Sequence, residues 1–174
     1  MKSLIFGLFK ENNDAENAIA ELQAQGFAED ISVAVKDPND KKERVTVVKN
    51  DATDAAETGA MVGGATGAIT ALLTGLSAVV IPGIGVLMGG PLAVLLGLTG
   101  GALGAVTGGL IGVLVNAGIP DNVAKLYSDR IHAGEILVAV STNQKKSAEV
   151  RKVFMKNNSE DINYVENIKT NPIM

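Results

Sequence analysis

The chain has 174 residues and a net charge of −4, and 47% of its residues are hydrophobic but only 3% aromatic. This length allows one domain or two small ones, and the acidic balance gives no electrostatic footprint for nucleic acid. Cysteine is absent, which excludes disulfides and thiol chemistry.

The first third of the chain predicts a strand, a helix and two further strands. Leu4 to Phe9 is too short for a signal peptide and is followed by charged residues, so we predict a strand here and a protein that begins and stays in the cytoplasm. Gly26 is placed to end the helix after it, and residues 31 to 36 alternate like a half-buried strand. Residues 45 to 49 predict a strand at the sheet edge or across a subunit boundary. The helix is indicated by apolar residues at helical spacing: Ala15, Ala18, Ile19 and Leu22.

A long apolar insert follows, because no charged residue occurs from Thr58 to Pro120. Two stretches, Thr58 to Val80 and Leu92 to Asn116, predict helices. At about 1.5 Å per residue each would be roughly 35 Å long, enough for a bilayer core of about 30 Å. Turn-forming residues separate them and predict a hairpin turn: Pro82, Gly83, Gly85, Gly89, Gly90 and Pro91.

Glycine recurs at every fourth position in both predicted helices. A glycine weakens a helix in water by about 1 kcal/mol, so stripes at this spacing need a reason. Close packing of helix backbones in lipid supplies one. We therefore predict helix packing and self-association through seven positions: Gly59, Gly63, Gly67, Gly100, Gly104, Gly108 and Gly112.

The same insert also fits a soluble assembly. Its central part, residues 81 to 91, is uncharged, and no aromatic belt marks a membrane interface. A helical hairpin buried between subunits of a homo-oligomer, or within one chain, therefore stays open beside the membrane hypothesis.

The last third of the chain predicts a helix and a second strand–helix–strand unit. Residues 119 to 134 begin with Pro–Asp and end with Gly134, as an amphipathic helix would. Residues 136 to 140 predict a strand and residues 145 to 157 a helix, before a last strand around residues 162 to 164. The predicted inward positions are Val123, Leu126, Tyr127 and Ile131 in the first helix, and Val150, Val153 and Phe154 in the second.

The two flanks read as two copies of one βαβ unit, with shared strings such as Glu29-Asp30-Ile31 and Glu160-Asp161-Ile162. Two such units predict an α+β, ferredoxin-like split βαβ domain, with four antiparallel strands and two helices on one face. Its halves would be residues 1 to 57 and 119 to 174, interrupted by the glycine-rich apolar helical hairpin at 58 to 118. A ligand-sensing module of ACT type is built from similar units and is a further alternative.

Catalytic patterns are missing from the sequence. His132 is the only histidine, and a surface or packing role is the simpler interpretation. Residues 37 to 40 resemble a turn rather than a calcium loop, and the glycine-rich segments lack a phosphate-loop ending. We predict that the protein is not an enzyme and has no cofactor and no metal.

Four places in the chain together resemble a bacterial family of general-stress and low-temperature-induced proteins. They are residues 14 to 18 after the first strand, residues 26 to 33, the glycine-zipper insert with Ile81-Pro-Gly-Ile-Gly85, and residues 118 to 138. The resemblance implies a stress-associated, non-enzymatic protein without active-site residues. We expect a cytoplasmic domain anchored in the inner (cell) membrane, with lipid and further copies of the chain as partners and no nucleic acid. A cytoplasmic soluble homo-oligomeric scaffold is the alternative.

Overall fold

The computed structural model describes residues 2–27, 30–36, 46–48, 78–81, 85–88 and 109–165. These residues form seven strands and four helices. The strands are β1 (Lys2–Phe9), β2 (Ile31–Val35), β3 (Thr46–Val48), β4 (Ala78–Ile81), β5 (Gly85–Met88), β6 (Ile136–Asn143) and β7 (Glu160–Val165). The helices are α1 (Asn12–Ala24), α2 (Gly109–Asn116), α3 (Asp121–His132) and α4 (Ser147–Lys156).

The strands form one antiparallel sheet in the order β3-β4-β5-β2-β6-β1-β7. β1 pairs along its whole length with β6, from Lys2 opposite Asn143 to Phe9 opposite Ile136. The predicted α+β class with an antiparallel sheet is confirmed at this level. The edge strand predicted at residues 45 to 49 is present as β3, which pairs with β4.

Helices α1 and α4 cover one face of the sheet. Their buried positions are those that the sequence predicted, Ala15, Ala18, Ile19 and Leu22 on α1 and Val150, Val153 and Phe154 on α4. They pack against alternate sheet residues such as Ile5, Val33 and Val138 in one apolar cluster. Phe9 and Phe154 meet edge to face, with ring centroids 5.5 Å apart.

Helices α2 and α3 cover the opposite face. Leu4, Phe6 and Leu137 of the sheet lie in a second apolar cluster with side chains of these two helices. Both faces of β2 are therefore buried, including Ser32 and Ala34. The prediction of a half-buried strand is wrong because the face of β2 that carries Ala34 belongs to the second apolar cluster, under α2 and α3.

One predicted core position of α3 is also wrong. Leu126 is 46% exposed, whereas Ala124, Tyr127, Ser128 and Ile131 are buried. These four follow the helical spacing i, i+3, i+4, i+7, and Leu126 lies about 100° away from Tyr127 around the helix. Small Ala124 and Ser128 occupy the inward stripe and let α3 approach the sheet.

Residues 78–81 and 85–88 differ from the sequence prediction. Helix was predicted to continue to Val80, but Ala78–Ile81 is a strand, and Gly85–Met88 is a second strand where a break between helices was expected. The two strands pair directly, with Ile81 opposite Gly85. Three consecutive β-branched residues before Pro82 favour a strand over a helix.

Each of the helices α1 to α4 ends in the same hydrogen-bonded motif. The residue at the left-handed position is Gly26, Gly118, Gly134 or Asn158, with φ between 58° and 106°. At each, its amide and the next amide donate back to the last turn, as in a Schellman motif. The predicted helix ends at Gly26 and Gly134 are confirmed.

Candidate functional site

The glycine positions predicted for helix packing fall mostly outside the described residues. Gly112 lies in α2 and is partly buried, and α2 packs beside α3. The predicted second helix agrees with the structure over residues 109 to 116. Six positions lie outside the described ranges: Gly59, Gly63, Gly67, Gly100, Gly104 and Gly108.

Of the residues predicted for the hairpin turn, Gly85 is the one that the structure describes. Gly85 is the first residue of β5 and is paired with Ile81 of β4, so a reversal of the chain does occur between them. This reversal joins two strands, not two helices. The other positions lie outside the described residues: Pro82, Gly83, Gly89, Gly90 and Pro91.

The middle of the apolar insert is attached to the domain by β5. Met88, Leu87 and Val86 of β5 pair with Val33, Ala34 and Val35 of β2. β4 then joins β5 to β3, where Val48 lies opposite Ala78. Val48 and Ala78, which are 30 residues apart in the chain, are therefore direct partners in one ladder.

The end of the insert is part of the second apolar cluster. Leu114 is fully buried, and Ala117 and Ile119 are 2% and 3% exposed. The amide of Ile119 donates to the Leu114 carbonyl at 2.9 Å, which folds the chain back at Gly118. A Cβ at Gly118 would lie 2.9 Å from Cγ1 of Val165, so the turn after α2 closely approaches β7 at this point.

A cluster of charges joins the last turn of α3 to the start of β7. Arg130 has a side chain only 17% exposed and pairs through Nε with Glu135 Oε2 at 2.8 Å. Its other two nitrogens contact Glu160, at 2.5 Å, and Asp161. Lys10 contacts the second oxygen of Glu160 at 2.7 Å. Each carboxylate thus contacts a cation, and these ion pairs connect α3 with β7. We call Lys10, Arg130, Glu135, Glu160 and Asp161 the charge clamp.

The protonation states of this cluster follow from its contacts. Hydrogen bonds from Lys10 and Arg130 hold the pKa of Glu160 below its ordinary value. Burial opposes the charge of Arg130, but its carboxylate partners outweigh burial and hold the pKa of the guanidinium above its ordinary value. Both shifts favour the charged forms of these two groups at neutral pH.

Tyr127 adds neutral hydrogen bonds to the same junction. Its hydroxyl donates to the backbone carbonyl of Asp161 at 2.9 Å and accepts a hydrogen bond from the amide of Asn163. Burial raises the pKa of this phenol, so it stays protonated as a donor. The ring packs near Phe6, with centroids 6.5 Å apart.

His132 lies at the last residue of α3. Its Nδ1 is 2.7 Å from the carbonyl oxygen of Ser128, one helical turn earlier, and the residue is exposed. This contact is typical of a histidine at a helix end. Within the described ranges, no group of histidine, aspartate and glutamate side chains is arranged to hold a metal ion.

Sequence reasoning missed the charge clamp on β7. Arg130 and Glu160 lie 30 residues apart in the chain. The only sequence signal was the repeated Glu-Asp-Ile string, which marked where a strand begins but not which cation would approach it.

No protein-family model matches the sequence, and searches of curated proteins and of solved structures also give no match. Of the helices in the described part of the chain, none combines the length and the apolar character that a bilayer crossing needs.

Proposed function

We propose that this is a non-enzymatic, stress-associated protein in which a ferredoxin-like domain holds a glycine-rich apolar insert against a membrane and self-associates through it. The order β2-β6-β1-β7, with α1 and α4 on one face, supports the ferredoxin-like topology. The stress association rests on the sequence resemblance. We place the domain on the cytoplasmic side of the cell membrane.

The observation that carries the proposal is the attachment of the uncharged insert to the domain. Val48 and Ala78 are partners in one ladder, and Met88 is the partner of Val33. The uncharged residues 58 to 77 and 89 to 108 therefore lie in segments that are attached to the domain at both ends. Apolar segments of this kind need cover from lipid or from another apolar surface.

The same attachment limits how deeply the first of these segments can reach. A helical excursion and return between Val48 and Ala78 would extend roughly 20 Å, at about 1.5 Å per residue over half the segment. A bilayer core is about 30 Å thick. We therefore favour insertion from one side of the membrane over the full crossing that the sequence suggested.

A soluble homo-oligomer is the second candidate. It is favoured by the pairing of β4 and β5 within the domain sheet, since backbone pairing of this kind needs no lipid. In that case the glycine-rich segments would be covered by copies of the same chain. Small residues at every fourth position would serve close helix contacts in either setting.

Flotation of the full chain with lipid vesicles separates the two candidates. If the membrane proposal is right, the protein rises with vesicles in a density gradient and stays with them at high salt, because apolar insertion is not screened. A protein that remains in the dense fractions as a discrete oligomer would favour the soluble assembly.

A further inference from the structure

Helix α4 presents a basic outer face to solvent. Its inner positions are buried against the sheet, but the opposite stripe, at helical spacing, is exposed: Ala148, Arg151, Lys152, Met155 and Lys156. Lys145 and Lys146, in the turn before the helix, are also exposed. We call Lys145, Lys146, Arg151, Lys152, Met155 and Lys156 the basic face.

The basic face carries an excess of positive charge in an acidic protein. Five of its six members are cations, whereas the acidic groups near it in the described part of the chain are Glu149 on α4, Glu21 on α1 and Asp30, which shares a pocket with Lys146. Lys156 contacts Glu21 at 3.1 Å, and Lys146 lies 5.3 Å from the centre of the Phe27 ring. This local excess of positive charge contrasts with the net charge of −4 of the whole chain.

An apolar side chain stands among these cations. Met155 is 67% exposed, although Phe154 beside it is fully buried. Burying Met155 removes an exposed apolar group from water, and the long stems of lysine and arginine also tolerate an apolar boundary. Cations around an exposed methionine match the boundary between headgroups and acyl chains of a bilayer.

We propose that the basic face binds the anionic phospholipid headgroups of a membrane surface, with Met155 entering the headgroup–acyl boundary. This deepens the proposed membrane function and rests on it. A nucleic acid is a poorer match, because the chain is acidic overall and the face has no aromatic residue on which a base could stack.

The test compares the full chain with two variants of equal charge in vesicle flotation. Arg151→Gln/Lys152→Gln removes two cations from the basic face, and Lys36→Gln/Lys125→Gln removes two exposed cations elsewhere. The vesicles are pure phosphatidylcholine, or phosphatidylcholine with about one third phosphatidylglycerol. Thermal unfolding of each variant verifies that the fold is intact.

We expect the basic-face variant to partition about 30-fold more weakly onto the anionic vesicles at low salt, at about fivefold per cation. The control variant should stay within about twofold of the original chain. Met155→Ser should weaken partitioning several-fold without changing its salt dependence. High salt should remove most of the difference between the basic-face variant and the original chain.

Three outcomes would overturn the inference. Equal losses in both double variants would show a net-charge effect, and equal binding of the original chain to both vesicle types would show that headgroup charge is irrelevant. Binding to a short DNA or RNA duplex in preference to anionic vesicles would assign the face to nucleic acid. Absence of binding to either vesicle type would instead refute the proposed membrane function itself.

Discussion

Val33 on β2 lies directly opposite Met88 on β5, so a strand of the charged N-terminal flank is paired with a strand of the uncharged insert. Leu114 and Ala117, at the other end of the insert, are buried in the cluster beneath α3. The insert is thus held by backbone pairing at its middle and by side-chain packing at its end.

Leu114→Ala should destabilise the domain by about 2–4 kcal/mol, because it leaves a cavity in a fully buried position. Val115→Ala, at the next position of the same helix, shortens a side chain that is 41% exposed. It should lower the free energy of unfolding by much less than Leu114→Ala does. Urea denaturation followed by circular dichroism measures both. Equal small effects would mean that the end of the insert does not contribute to the core.

Gly7→Ala should destabilise the domain by about 1–3 kcal/mol through overpacking. A Cβ there would lie 2.7 Å from Cδ2 of Phe154 and would also meet the hydroxyl of Ser159. Ser159→Ala in the same chain removes one of these two obstacles and should recover part of the loss. Thermal unfolding of the single and double variants tests this, and an unchanged melting temperature for Gly7→Ala would refute the close approach of α4 to β1.

Acid should weaken the clamp on β7. The folded-state pKa of Glu160 is lowered, so its contribution to stability is present above the unfolded-state pKa and is lost as pH falls through the folded-state value. The Glu160→Gln variant should therefore be less stable than the original chain at pH 7, and the two should converge toward pH 3. Asp129→Asn, on the exposed side of α3, is the control and should lack this pattern. A gap that persists at pH 3 would contradict an electrostatic origin.

Local periodicity predicted most of the charged flanks. The buried positions of α1 and α4 follow from helical spacing, and Gly26 and Gly134 mark helix ends because they adopt left-handed φ angles. The prediction that Leu126 is buried was wrong because the small residues Ala124 and Ser128 lie on the buried side of α3 instead. The positions of large apolar residues alone did not identify the side of α3 that packs against the sheet.

The strands of the apolar insert could not be predicted from the sequence pattern. Ala78–Ile81 lies within a longer uncharged stretch, and periodicity does not separate a buried strand from a buried helix in such a run. The partner of β5 is β2, far earlier in the chain, so its pairing is a tertiary property. The same holds for Arg130 and Glu160, whose contact depends on how α3 crosses the sheet.

Leucine at two zipper positions should disrupt self-association without weakening contact with lipid. Gly104→Leu/Gly108→Leu makes the segment more apolar but places bulky side chains where close helix packing is proposed. Val106→Leu, between the two, is the matched control and should be tolerated. Crosslinking after gentle extraction should show loss of the oligomer in the double variant alone. Unchanged assembly of the double variant would remove the glycine stripe from the proposal.

The most direct test of the central claim is flotation of a chain in which residues 58 to 77 and 89 to 108 are replaced by Gly/Ser linkers of equal length. This replacement keeps β3, β4, β5 and α2 in place. We predict a folded domain that no longer floats with phosphatidylcholine vesicles, whereas the original chain does. Flotation of the replaced chain to the same extent as the original would contradict the claim that the glycine-rich insert is the membrane-binding element.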